Sequence, residues 1–495
     1  MNRYLLSIDN GLTETKAVLF DLVGKEIAIS KAPTPVVNQG PRSEVDMDRQ
    51  WDITANCIKA VIKQSGIQAG QIIAIGGSGH GAGAYLLDKA HKPLGMAITS
   101  MDERSADLVE AWSQESIHAC DLTCHPVWAG QAIPILRWIK LNEPERYKNI
   151  AHVLAVKDWI KFKLTGRLSG ELTDASNSGL INLALKAYDP VILETFEIHE
   201  MMDCLPPLSH CDEIIGHVSQ RVAEETGLQE GTPVVAGLFD VVACCLGSGI
   251  VNQEAFSMIA GTWNINSAIE KGTEACQGQT KCSLFADGIQ FIHVESSATS
   301  AVNLEWFIDR MFRSLGQKTL PPEELYLLLN QGVDQLPPSE TGLFYLPFLH
   351  GSHLAPNISA GFTGLKAGHS VFHLVRAIYE GVAYAHRMHI DLLRAGGVKR
   401  ELAVLSGGAA NSPVWCQIFA DVLGIKVATM EASQTGALGS AVNAALAAGI
   451  YADYEEAVIA MTRQSSAFYP GPDSALYQEN YLAFKTLLGA LETIQ

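Results

Sequence analysis

A chain of 495 residues is long enough for at least two domains with cores of their own. With 47% apolar and 18% charged residues it has the make-up of a soluble globular protein, and no apolar run approaches the length of a membrane span. The net charge of −18 excludes nucleic acid and anionic membrane as partners, because phosphates would be repelled, and leaves small substrates open.

Residues 4–9 are predicted as a strand ending in the carboxylate of Asp9. A polar turn over 10–16 leads to a second strand over 17–21. The tip of this hairpin offers the backbone of Gly11, the hydroxyl of Thr13 and the ammonium of Lys16, the materials of a phosphate nest. An exposed polar hairpin is more often only a turn, and the GxxxxGK[ST] spacing of a P-loop is absent. Asp9 interrupts the apolar start, so no signal peptide is expected. The ten cysteines make no CxxC pair and read as buried thiols of a reducing compartment, which places the protein in the cytoplasm.

Helical periodicity over 47–65 puts Trp51, Cys57, Ile58, Val61 and Ile62 on one inner face. A buried strand over 72–76 runs into Gly77-Ser78-Gly79-His80-Gly81-Ala82-Gly83, where a glycine-rich backbone can approach a ligand. His80 reads equally as a group that orients a hydroxyl and as a satisfied loop histidine. Asp102 and Arg104 stand two apart before a helix, a pair able to grip vicinal hydroxyls or to form a helix-start salt bridge. From 106 to 231 the pattern is helical and irregular. Its tryptophans read as core, with Trp128 also placed to line a sugar.

Residues 233–243 form a buried strand, a turn at Gly237 and a small apolar helix, with Asp240 at the junction. Asp240 reads equally as a helix cap and as a catalytic base. The second half then repeats the first: strand 255–260, turn Gly261-Thr262-Trp263-Asn264, strand 265–269, helix 371–394, strand 402–405 and the loop Ser406-Gly407-Gly408-Ala409-Ala410-Asn411. Hairpin, helix, strand and glycine loop in one order suggest a duplicated α/β fold. Pro321-Pro322 and Pro337-Pro338 bracket a surface helix. His350 and His353, and likewise His386 and His389, have metal-compatible spacing, but neither pair has a third ligand in view. The small residues 436–441 suit close helix packing or a flat ring.

Two phosphate-type hairpins, a glycine loop and a lone acid together suggest a cleft that binds nucleotide between two lobes. Here the chain resembles, end to end, the FGGY carbohydrate kinases of the actin-like ATPase fold, two duplicated ribonuclease H-like domains. The run Ala360-Gly361-Phe362-Thr363-Gly364-Leu365, with His373-Leu374 and Ala377-Ile378-Tyr379-Glu380, fits that family's signature. The resemblance implies an N-terminal domain over 1–246 carrying sugar site and base, and a C-terminal ATP domain over 247–495. It implies Asp240 as the base for the attacking hydroxyl and Asp9 acting on Mg²⁺ through water. Gly11, Thr13, Lys16, Gly261 and Thr262 would face ATP phosphates; Gly407, Gly408 and Asn411 would hold the adenosine side. His80, Asp102 and Arg104, with Asp240, would grip the sugar.

Two positions depart from the family pattern. Leu12 stands where many relatives carry Thr, and His350-Gly351-Ser352-His353 replaces an acidic–basic pair. The expected partners are a small sugar and ATP, with no nucleic acid or membrane; a homodimer stays open. Within the family, residues 237–242, 303–307 and 346–349 most resemble kinases of L-xylulose and 3-keto-L-gulonate. That implies phosphorylation of a terminal hydroxyl of an L-ketopentose or keto-sugar acid, with D-xylulose, L-ribulose, erythritol and glycerol as alternatives. A non-catalytic actin-like ATPase would have no use for Asp102, Arg104 and Asp240 together.

Overall fold

The computed structural model describes residues 2–113, 119–273, 280–313, 320–338 and 342–493. Contacts divide the chain into two compact units of three segments each. Unit 1 takes Met1–Val251, Ile269–His293 and Gln434–Arg463; unit 2 takes Asn252–Ala268, Val294–Ser433 and Gln464–Gln495.

Unit 1 rests on a mixed sheet in the order Ile214–His217, Pro233–Val235, Ile72–Gly79, Tyr4–Asn10, Glu14–Asp21, Glu26–Pro33. In the opening hairpin Asp9 lies opposite Lys16. Its second strand starts at Glu14 rather than at 17, because the Gly11 N–H closes the turn on the Glu14 carbonyl at 3.0 Å. Tyr4–Asn10 runs parallel to Ile72–Gly79, which sets Asp9 beside Ser78. The crossover between them contains the helix Met47–Ser65, capped by Asp46 and ended by Gly66 in the left-handed conformation. Its apolar stripe, Trp51, Cys57, Ile58 and Val61, joins Leu6, Ile8 and Leu19 in one core cluster.

The short strand Leu238–Phe239 continues beside the end of Ile72–Gly79, and the helix Asp240–Gly247 begins immediately after it. Thr435–Ala447 packs on that helix so closely that a Cβ at Gly439 would stand 1.8 Å from the Ala243 carbonyl oxygen. The small residues of 436–441 therefore serve helix packing.

A second sheet repeats the plan, with Lys281–Leu284, Phe291–Ser297, Asn264–Glu270, Phe256–Ala260, Leu402–Ser406, Lys426–Met430 and Gln464–Phe468 in sheet order. Phe256–Ala260 pairs antiparallel with its hairpin partner and parallel with Leu402–Ser406, reached through the helix Val371–Ala395. Both sheets thus set an antiparallel hairpin beside parallel strands and close on an antiparallel edge: the duplication expected from the sequence. The bracketed surface helix is Pro322–Asp334, with proline at its first turn. No disulfide joins the described cysteines. Among the described residues, no helix is long and apolar enough to cross a membrane.

Candidate active site

Three strand ends meet in unit 1: those of Tyr4–Asn10, Ile72–Gly79 and Leu238–Phe239. Asp9 Oδ1 accepts the Ser78 hydroxyl at 2.9 Å. A Cβ on Gly436 would lie 3.7 Å from Asp9 Oδ2 and 3.3 Å from Cys244 Sγ. Asp240 is the first residue of its helix and not the cap; that position belongs to Phe239. Its carboxyl is pushed well above the usual carboxylate range, first by burial and then by repulsion from Asp9 and Asp174. Burial, followed by repulsion from Asp240 and Asp9, likewise pushes the Cys244 thiol far up. Acids crowded in this way share a proton or are relieved by a cation. The donor set, two carboxylates with one oxygen of Asp9 turned toward a side-chain-free glycine, fits a hard divalent ion such as Mg²⁺.

Asp240 is held in place by close backbone packing. Gly237 has φ +91°, and a Cβ there would stand 2.5 Å from the Gly77 carbonyl oxygen, so only glycine fits. The Phe239 N–H donates to Thr173 Oγ1 at 2.9 Å, and that hydroxyl donates to Glu171 Oε2 at 2.7 Å. Glu171 belongs to a buried ion network. Lys157 Nζ lies 3.0 Å from Asp158, 3.5 Å from Glu171 and 3.2 Å from Asp174. Lys161 binds Asp158 at 3.0 Å and donates to the Ala236 carbonyl at 3.1 Å, just ahead of Gly237. Asp174 is pushed up to about 6, chiefly by burial. Sequence reasoning missed this network. Its signal is Lys157, Asp158 and Lys161 in the helix Val156–Thr165, among the buried Trp159, Ile160 and Leu164.

His80 directly follows Ile72–Gly79 and is 4% exposed. Its ring nitrogens lie 3.4 Å from the Gly81 carbonyl and 3.4 Å from the Tyr85 hydroxyl, and burial lowers its pKa to about 4, so the ring is neutral. A Cβ on the next residue, Gly81, would strike Phe239 at 2.6 Å, which ties the His80 loop to the residue before Asp240. Asp102 and Arg104 grip each other: Oδ1 accepts Nε at 2.7 Å and Oδ2 accepts Nη2 at 2.8 Å. Glu44, which no sequence pattern singled out, accepts the same Nη2 at 2.6 Å. Burial opposes the Arg104 charge, but Asp102 and Glu44 outweigh it and raise the pKa. Arg104 Nη1 is a buried donor with no protein partner. It is the atom of this pair left to meet a ligand, since a buried unmet donor costs about 1–3 kcal/mol. Trp128 has the Lys281 ammonium 4.7 Å from its ring centre, and its indole nitrogen is buried without a protein partner.

Gly11, Thr13 and Lys16 are at the unit 1 hairpin, where Thr13 is exposed and Lys16 is drawn to Glu14 at 3.8 Å. Gly261, Thr262, Gly407, Gly408 and Asn411 belong to unit 2. There the two strand ends touch: Gly407, at φ +85°, has room for no Cβ beside the Ala260 oxygen at 2.6 Å and the Gly261 nitrogen at 3.0 Å. Thr262 and Asn411 are exposed next to this junction. His386 commits both ring nitrogens to Ser300 and Asn266, each at 2.8 Å.

Residues 4–247 match the N-terminal domain model of the FGGY family of carbohydrate kinases, and residues 256–448 match its C-terminal domain model. The chain belongs to the FGGY family of carbohydrate kinases. It is 35% identical to the L-xylulose/3-keto-L-gulonate kinase of Escherichia coli (strain K12), over 99% of this chain and 98% of that one. A "Probable L-xylulose kinase" of Haemophilus influenzae is 37% identical over 89% of this chain and 90% of its own. Among solved structures, xylulose kinase from Rhodospirillum rubrum superposes with a TM-score of 0.83 at 25% identity, covering 99% of each chain. As an FGGY kinase the protein is an enzyme with a sugar and ATP as its substrates. That family membership gives the crowded acids at Asp240 a chemical context.

Proposed function

We propose that this kinase transfers the γ-phosphoryl group of ATP to a terminal hydroxyl of an L-ketopentose such as L-xylulose, or of a keto-sugar acid such as 3-keto-L-gulonate. The observation that carries the reading is the placement of Asp240. Its carboxyl has a raised proton affinity, stands beside Asp9 and follows directly on Phe239, against which the His80 loop packs. Asp240 accepts the proton of the attacking hydroxyl while that oxygen bonds to phosphorus and the bond to the ADP oxygen breaks. A base with raised proton affinity suits that transfer better than an ordinary carboxylate. Asp9 would hold Mg²⁺ through water, and the ion would supply charge neutralisation on the phosphates.

The neutral His80 and Arg104 Nη1 read sugar hydroxyls, with Asp102 and Glu44 fixing the guanidinium. Residues 1–246 form the sugar and base domain in this reading. Residues 247–495 form the ATP domain, where Gly261, Thr262, Gly407, Gly408 and Asn411 act with Gly11, Thr13 and Lys16 on the nucleotide. The enzyme works in the cytoplasm, where ATP is supplied, as a single chain or a homodimer. The relatives' substrates support the sugar chosen. A coupled ADP-release assay across L-xylulose, 3-keto-L-gulonate, D-xylulose, L-ribulose, erythritol and glycerol tests it. The highest kcat/KM is expected for one of the first two, and a maximum on erythritol or glycerol would sink the substrate assignment.

A further inference from the structure

The two histidine pairs suggested by sequence spacing do not act as pairs. The structure instead takes one histidine from each and adds an acid distant in sequence. His389 lies on the helix Val371–Ala395, His353 on the loop after Phe344–Leu346, and Glu295 on the strand Phe291–Ser297. All belong to unit 2. One donor atom from each lies within 4.8 Å of the other two. His389 Nδ1 is 3.4 Å and His353 Nε2 is 3.5 Å from the same oxygen, Glu295 Oε2.

These separations are long for N–H···O hydrogen bonds, whose usual length is about 2.9–3.0 Å. They match the edge of a coordination tetrahedron, which for ligand bonds of about 2.0–2.1 Å comes to roughly 3.4 Å. The far side of His389 is also arranged for ligation. Its Nε2 lies 3.1 Å from Ser297 Oγ, and an N–H donated there leaves the lone pair on Nδ1, toward Glu295. Glu295 and His389 are buried at 1% side-chain exposure, while His353 is 34% exposed. An ion would have a buried floor of two ligands, a half-buried third ligand and an open side.

We propose that Glu295, His353 and His389 form a binding site for a divalent transition-metal cation of the zinc class, with water in the fourth position. Two imidazoles and one carboxylate are borderline donors that suit Zn²⁺ and reject Mg²⁺. The ion would pin the His350–His353 loop, where this chain departs from its family's pattern, onto strand and helix. The other cluster of possible ligands, His210, Cys211 and Asp212, is a poorer candidate. The Cys211 sulfur already meets the Ala286 carbonyl and the Tyr454 hydroxyl, each at 3.0 Å.

The test uses the full-length protein, stripped with chelator and titrated with Zn²⁺, Co²⁺ and Mg²⁺ in separate arms. One tightly bound Zn²⁺ per chain is expected, with the visible absorption of four-coordinate Co²⁺ in the cobalt arm and no saturable Mg²⁺ binding at these residues. His353→Ala, on a loop, should keep the metal-free circular dichroism and melting temperature of the wild type while weakening Zn²⁺ at least 100-fold. Ser297→Ala should weaken it about 10–100-fold through loss of orientation. Zn²⁺ bound equally by wild type and His353→Ala, or lost only in His210→Ala, would overturn the site, as would no stoichiometric binding at all.

Discussion

At the scale of single residues, the candidate site holds groups against their solution preferences. Asp240 is half-buried beside two other acids, so its charge costs stability, a cost that the proposed role as base would repay in reactivity. Asp240→Asn should therefore lower kcat by roughly a hundredfold or more while leaving the KM for ATP within about twofold. The variant should melt at the wild-type temperature or above it, because the repulsion goes with the charge; wild-type turnover would remove Asp240 from the mechanism. The buried histidines set an acid limit on the fold. His80 is lowered to about 4 and His125 to about 3, both chiefly by burial, whereas an unfolded histidine titrates near ~6.5. Below that value the unfolded chain binds protons the folded chain does not, so stability is full above pH ~6.5 and falls toward pH 4. Every tenfold loss of proton affinity on folding adds about 1.4 kcal/mol to the total stability lost on acidification. Melting curves from pH 7 to pH 4 should show the loss, and His125→Gln should make the slope shallower. Asp240 and His80 were legible because each closes a run of strand and glycine. Glu44 and the Lys157 network were not, since a charge among apolar residues reveals burial without naming its partner.

Elements were legible wherever one period dominated. The helix Met47–Ser65 has a continuous apolar stripe between an Asp cap and a Gly stop, and its expected bounds and observed bounds coincide. The hairpin strand at Glu14 began earlier than expected because its polar residues face a turn-closing hydrogen bond, which no hydropathy pattern records. For 436–441 the sequence left two uses open, and the backbone contact at Ala243 decides for packing. This contact makes Gly439→Ala costly, by about 3 kcal/mol, since neither helical backbone can retreat. Gly489→Ala should do the opposite: it lies in the helix Ser474–Glu492 with nothing within 4 Å of the new methyl group. A gain of about 0.5–1 kcal/mol is expected from helix propensity alone. Urea denaturation of both variants measures the pair, and equal effects would show that the helix contact is not tight.

For the whole molecule, duplication was legible because both halves spell hairpin, helix, strand and glycine loop in the same order. The borders of the compact units were not, because they depend on contacts between distant segments. Gln434–Arg463 belongs with the first 251 residues, supplying the helix that covers Tyr4–Asn10, Ile72–Gly79 and Asp240–Gly247. Residues 1–251 expressed alone should therefore lack a cooperative melting transition. Joining 434–463 to them through a flexible linker should restore one, and a sharp transition without that segment would refute the dependence. The same feature bears on how the protein is made. A ribosome delivers the strands and the helix carrying Asp240 first, then spends roughly 10–40 s at ~5–20 residues per second on the intervening stretch before the covering helix emerges. Through that interval the face that will hold Asp240 stands open, a surface for chaperones and a hazard for aggregation. Competence for catalysis is thus a late event in the life of the nascent chain, although Asp240, the proposed base, is translated before the midpoint.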